Sequence, residues 1–149
     1  MMIRRRGLLL LGAFALALPV GYANRYRMFA ADYDGLMLDP PEAHRLALAR
    51  SITLVDIRRP DEWALTGVGE GAQPLDMLRD DFETALAGMV QNDRLAPIAL
   101  ICARGVRSAR LGKRLTDAGF SDVRNVPEGM LGSGAGPGWI KRGLPLVRG

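Results

Sequence analysis

An α/β fold is predicted for this chain, as a single domain with a mostly parallel central sheet wrapped by helices on both faces. Three observations predict it. Apolar, β-branched runs at Ile52–Ile57 and Pro97–Ile101 read as buried strands. Stretches of helical period lie between and after them, and strands alternating with helices of this length argue for a parallel sheet covered on both sides. The 149 residues, 48% hydrophobic and 24% charged, suffice for one domain with a real core and are too few for two of ordinary size.

The first 23 residues combine Arg4, Arg5 and Arg6, an apolar stretch from Leu8 to Val20, and small residues at Gly21 and Ala23. This is the pattern of a secretory signal cut after Ala23, and the arginines loosely match a twin-arginine export signal. The alternative is an uncleaved membrane anchor over residues 7–23, its 17 residues being at the lower limit for a span and weakened by Pro19. Either version places the domain outside the cytoplasm: periplasmic or extracytoplasmic, or anchored in the inner membrane facing the periplasm. Residues 24–38 show no period and read as a linker, and residues 39–149 form the domain.

Asp39 caps the first helix, Pro40 suits its first position and Glu42 sits where a capping-box carboxylate belongs. Ala43, Leu46 and Ala49 make its apolar face. His44 lies off that face and reads as a solvated surface residue. After the Ile52–Ile57 strand, Pro60 to Trp63 starts a short helix, and Gly67, Gly69 and Gly71 mark a loop. Ala72–Leu75 is a second short strand. Asp80–Val90 reads as a helix with Phe82, Leu86 and Met89 inward. Beyond the Pro97–Ile101 strand, an amphipathic helix is expected over Ser108–Ala118, with Ala109, Leu111 and Leu115 packing and Gly119 as a left-handed cap. Val123–Val126 is a further strand. Gly132–Gly138 reads as a flexible surface loop, or else a lid or partner-contact element beside the site. Trp63 and Trp139 are expected in the core.

The net charge of +4 does not indicate a nucleic-acid partner. Without Arg4, Arg5 and Arg6, Lys+Arg falls from 20 to 17 against 16 Asp+Glu, a net of +1, and no basic field remains. One cysteine excludes an internal disulfide, and one histidine leaves the usual zinc ligand sets unfilled. No metal or cofactor is expected.

Attention therefore falls on Cys102, at the end of the central strand. A buried strand running into a tight loop and a helix N-terminus makes an anion cradle of free backbone N–H groups. Ligands on such sheets bind at the carboxyl ends of the strands, where Cys102 falls. The helix dipole, Arg104 and Arg107 all favour a thiolate there.

Three groups of residues, with a fourth at Gly67–Ala72 that departs, resemble the rhodanese family of sulfurtransferases, over roughly Pro41–Val147. Leu54–Arg58 with Pro60–Trp63 is similar to the family's first box, and Cys102–Ser108 to its active-site loop. Gly119-Phe120, Val123–Val126, Glu128-Gly129, Trp139 and Gly143–Pro145 are similar to its C-terminal box. The second box departs: Val68 stands where the family usually has histidine, so no imidazole acts there.

The resemblance implies that Cys102 takes the outer sulfur of a donor such as thiosulfate as a persulfide, which a thiol or cyanide then removes. It implies that Ala103, Arg104, Gly105, Val106, Arg107 and Ser108 bind the substrate. Arg104 would meet it, Arg107 would support the loop, and Ser108 would cap the helix. Asp56 and Arg58 would brace the loop by polar contacts.

The partner implied is a small sulfur-containing anion or thiol, with a sulfur-acceptor protein if Cys102 acts only as a persulfide carrier or thiol-docking module. That alternative stays open. A phosphatase or arsenate reductase of the related fold would have five residues between cysteine and arginine; here four separate Cys102 from Arg107, and the smaller cradle favours sulfur. A papain-like hydrolase would need a histidine beside the cysteine, a place His44 is poorly located to fill.

Overall fold

The computed structural model describes residues 33–148. The elements are α1 (Pro40–Leu48), β1 (Thr53–Asp56), α2 (Pro60–Thr66), β2 (Val68–Gly69), β3 (Ala72–Pro74), α3 (Phe82–Met89), β4 (Ile98–Ile101), α4 (Val106–Asp117), β5 (Val123–Asn125), α5 (Gly138–Lys141) and β6 (Leu146–Val147). Four strands form a parallel sheet in the order β3-β1-β4-β5, so β1 and β4 are central. β2 and β6 pair as a small antiparallel ribbon. Among the described residues no helix is long and apolar enough to cross a membrane; the expected leader lies outside them.

The apolar strands are explained by what covers each side of the sheet. Successive side chains point to opposite faces. Leu54, Ala99 and Ile101 pack with Ala43 of α1 and Trp139 of α5. Val55, Ile98, Leu100 and Cys102 pack with Phe82 and Leu86 of α3 and Leu111 and Leu115 of α4. Both faces are dry, so neither leaves room for a polar alternation. Cys102 continues the register of Ile98 and Leu100 onto the α3–α4 face.

Several expectations are corrected. Residues 33–38 are no free linker: Leu38 donates to the Asn125 carbonyl at 2.9 Å, and the Asn125 N–H donates to Leu36 at 2.9 Å. This contact, with a parallel bridge from Met37, covers the edge of β5. The Tyr33 hydroxyl donates to the Val123 carbonyl, and burial, then Asp122 and Asp34, push it up to about 12. Ala49 is exposed, since α1 ends one residue before it. His44 is not solvated: it bonds Glu70 at 2.8 Å and meets the Trp139 ring edge-on, 5.3 Å between centroids. Trp139 is buried and its indole N–H donates to Pro145, whereas Trp63 is only half-buried. Gly119 does close α4, with Gly119 and Phe120 N–H groups donating back to Thr116 and Leu115.

The turn from β1 into α2 is locked by a buried ion pair. Arg58 donates to Asp56 through Nε at 2.9 Å and Nη2 at 2.7 Å. Its remaining hydrogens go to Thr66 Oγ1 and the Gly67 carbonyl, both at 2.8 Å. With 1% and 0% of their side chains exposed, both charges are compensated only by each other and by the end of α2. Arg58→Met is expected to cost about 3–5 kcal/mol, because Asp56 is left charged in a dry site. Asp56→Leu combined with Arg58→Met should lose less than Arg58→Met alone, as read from urea unfolding.

Candidate active site

Cys102 is 1% exposed and sits at the carboxyl end of β4. The next turn is controlled by Gly105, whose φ of +81° is left-handed. A side chain there would meet the Pro127 carbonyl oxygen at 2.1 Å, so only glycine fits. Gly105 is the N-cap of α4, and the helix begins at Val106, two residues earlier than the sequence pattern indicates. The early start moves Ser108 from the cap into the first turn.

That shift defines the surroundings of the sulfur. The Gly105 N–H donates to Cys102 Sγ at 3.1 Å, and the Ser108 hydroxyl lies 3.3 Å from Sγ. The Ser108 hydroxyl also reaches the Gly105 carbonyl at 3.1 Å. With one proton, it donates to that carbonyl while Sγ is a thiol, and is free to turn to Sγ when the sulfur is anionic. Of the loop N–H groups, Gly105's is the one bonded to sulfur. Those of Val106, Arg107 and Ser108 lie in the first helical turn, which has no intrahelical acceptor for them.

Ala103 in the loop and Val106 at the start of α4 are half-buried, and Arg104 is exposed at the rim. Arg104 Nη1 donates to the Gly132 carbonyl at 3.1 Å. Arg107 is turned to α2, where it forms a two-pronged pair with Glu62 at 2.8 and 2.6 Å. The Glu62 bond holds the Arg107 guanidinium above its ordinary range, burial pulls it down, and the charge on Cys102 adds to the rise. A permanent cation is thereby fixed near the sulfur.

Among the described residues, Asp56 and Arg58 make no side-chain hydrogen bond to this loop. Their hydrogen bonds run to each other and to the end of α2, because the buried pair consumes both carboxylate oxygens. Support reaches the loop one step later, through Glu62. That residue escapes a sequence reading because position N3 of a helix already explains a glutamate, and Glu62 does accept from the Arg59 N–H at 3.0 Å.

The other wall of the site comes from residues 127–138. Met130 and Leu131 N–H groups donate to the Cys102 and Ala103 carbonyls, both at 2.9 Å. A side chain on Gly129 would stand 2.5 Å from the Ala103 oxygen. The Gly132–Gly138 segment is no flexible loop: Ser133 and Gly136 exchange backbone bonds at 2.9 and 3.2 Å, and Ser133 Oγ donates to Pro127 at 2.8 Å. Beneath it, Glu128 accepts from Gly138 N–H at 2.9 Å and from Arg142 twice at 2.7 Å. Burial raises the Glu128 carboxyl, but these bonds carry it below the usual range. A surface cavity of about 420 Å³ lies elsewhere, between Tyr33–Leu36 and the end of α4.

A family model described as a rhodanese-like domain matches residues 39–133. The chain belongs to the rhodanese-like domain family. Among solved structures, this rhodanese-like domain is similar to the polysulfide-sulfur transferase homodimer of Wolinella succinogenes. The TM-score is 0.62 at 28% identity, covering 87% of this chain and 89% of that one. It is also similar to Rv0390 from M. tuberculosis, with a TM-score of 0.59 at 28% identity over 79% of this chain and all of the other. The uncharacterized protein YibN of Escherichia coli (strain K12) is 28% identical over 108 residues, 72% of this chain and 69% of YibN. This membership supports a sulfur-transfer role in general.

Hydrogen bonding from Arg107 holds the Glu62 carboxyl below its usual range, with burial opposing and Arg59 assisting. A carboxyl so depressed adds stability above its unfolded value, near pH ~4.3, and loses it as pH falls through the folded value. Wild type should therefore exceed Glu62→Gln in urea stability throughout the neutral range. The difference should vanish only in acid below that value.

Proposed function

We propose that this protein is a sulfurtransferase that moves sulfane sulfur from a donor such as thiosulfate, through a Cys102 persulfide, to a nucleophilic acceptor. The observation that carries the reading is the buried Cys102 Sγ with the Gly105 N–H at 3.1 Å and, four intervening residues on, an Arg107 at the start of α4 clamped by Glu62. In the first step the Cys102 thiolate attacks the outer sulfur of thiosulfate. The new S–S bond forms as the donor's S–S bond breaks, and sulfite leaves with the electron pair. In the second step a thiol or cyanide takes the outer sulfur and Cys102 returns to thiolate.

The surroundings suit those steps. The Gly105 N–H and the first-turn N–H groups of α4 stabilise negative charge on either sulfur, and Ser108 supplies a hydroxyl hydrogen when Sγ is anionic. Arg104 at the rim meets the anionic donor as a planar fork. Support for a sulfane donor comes from the similar Wolinella succinogenes protein, a polysulfide-sulfur transferase. Burial of Sγ also suits a carrier that shelters a persulfide until a partner protein arrives, and turnover separates that reading from an enzyme.

Mass spectrometry after thiosulfate or inorganic polysulfide should show a gain of one sulfur atom on Cys102, reversed by mild reduction. Cys102→Ser should keep the fold and lose both the added sulfur and transfer to cyanide. Retained transfer in that variant would overturn the mechanism.

Export belongs to the same proposal and rests on Arg4–Arg6, the Leu8–Val20 stretch and the small residues at Gly21 and Ala23. Cell fractionation should recover the protein outside the cytoplasm, either cut after Ala23 or bound to the inner membrane. Full-length protein in the cytosol would refute it.

A further inference from the structure

Asn125 is 1% exposed, and both ends of its side-chain amide are buried without a hydrogen-bond partner among the described residues. A buried amide left unpaired opposes folding, so its presence has to serve something else. The edge contact of β5 does not use it. Leu36 and Leu38 engage Asn125 only through its backbone N–H and carbonyl, which any residue except proline would offer.

The register of the sheet fixes where the amide points. Val123 packs with the α3–α4 cluster and Val126 with the cluster on the opposite face. Asn125 is two residues from Val123, so its side chain also faces α4. It pairs with Leu100, which precedes Cys102 by two residues on the same face.

The level along α4 is fixed independently, by Tyr33. Its hydroxyl bonds the Val123 carbonyl, and a Cβ on Gly112 would stand 2.7 Å from its ring. Val123 and Gly112 are thereby placed at one height. From there β5 runs toward the end of the sheet at which α4 begins. Two residues along β5 advance about 6.6 Å to Asn125, and one turn back along α4 covers about 5.4 Å to Ser108. Asn125 therefore lies at the level of Ser108, the buried hydroxyl 3.3 Å from Cys102 Sγ.

We propose that Asn125 is a positioning residue of the Cys102 site, its amide N–H donating to Ser108 Oγ when that hydroxyl turns to an anionic sulfur. The role rests on Cys102 acting as the sulfur nucleophile. While Cys102 is a thiol, Ser108 gives its proton to the Gly105 carbonyl and the amide stays unpaired. When the thiol proton leaves to solvent, the hydroxyl donates to Sγ. A free lone pair of Oγ then takes the amide N–H as the Asn125 side chain turns. Each hydrogen bond in such a chain polarises the next, so the sulfur anion gains more than Ser108 alone would give it. The same pair stabilises the Cys102 thiolate that leaves when the acceptor takes the outer sulfur.

The test titrates Cys102, the chain's one cysteine, by the ultraviolet absorbance of its thiolate, with Cys102→Ser as the blank. Asn125→Leu, close in shape and without polar atoms, should move the midpoint to higher pH. It should also slow sulfur loading from thiosulfate at neutral pH about threefold, as loss of one hydrogen bond predicts. Ser108→Ala should act in the same direction and more strongly. In the Ser108→Ala background Asn125→Leu should add nothing, because its route to the sulfur is gone. A change of packing alone would shift the midpoint equally in both backgrounds. Asn125→Ala needs no extra room and carries the same comparison if the leucine variant does not fold.

An unmoved midpoint in the Asn125 variants, or equal shifts with and without Ser108, would overturn the role. If Cys102 still loads with sulfur in that case, the sulfur-transfer reading survives. If the midpoint shifts through Ser108 while wild type takes up no sulfur from thiosulfate or polysulfide, the sulfur-transfer reading falls. The part of Asn125 in holding the thiolate then stands alone.

Discussion

The backbone contact between Gly105 and Pro127 is the constraint on which the site depends. A left-handed residue with no Cβ lets the loop after β4 press against the segment after β5. That contact starts α4 at Val106, aims the Gly105 N–H at Cys102 Sγ and turns Ser108 toward the same sulfur. Gly129 makes the reciprocal approach to Ala103. With Met130 and Leu131 bonded to the loop carbonyls, the two segments behave as one piece. The sulfur environment and the 127–138 wall are two sides of a single contact.

Charge is distributed by the same logic of pairing. Asp56 neutralises Arg58 in the interior, Glu62 holds Arg107 on the α2 side, and Glu128 holds Arg142 under the wall. In each pair a carboxylate fixes where an arginine points. Arg104 is outside these pairs and donates instead to the Gly132 carbonyl. A buried pair adds little net stability beyond what an apolar replacement would give. The service of the Asp56–Arg58 pair is geometric: it fixes the end of α2, and α2 carries Glu62 to the loop.

Much of the fold was legible because its causes are local. Asp39, Pro40 and Glu42 announce α1, and Asp39 accepts from the Glu42 N–H at 2.8 Å. The β-branched runs become β1 and β4 within a residue of their expected ends. The misreadings share a different cause. The start of α4, the role of Ser108, the docking of residues 33–38 and the rigidity of Gly132–Gly138 all depend on partners far away in the chain. So does Glu62, whose link to Arg107 spans 45 positions.

The sequence by itself determined the class of fold, the place of Cys102 at the end of a central strand, and the loop spacing that resembles a sulfur-transfer site. Periodicity, capping and the order of short motifs are written in neighbouring residues. Only the tertiary structure decided which N–H faces the sulfur, which arginine is held by a carboxylate and which by a backbone carbonyl. Those choices follow from close approaches between segments separated in the chain, set by the room a missing Cβ leaves and by where each carboxylate comes to rest.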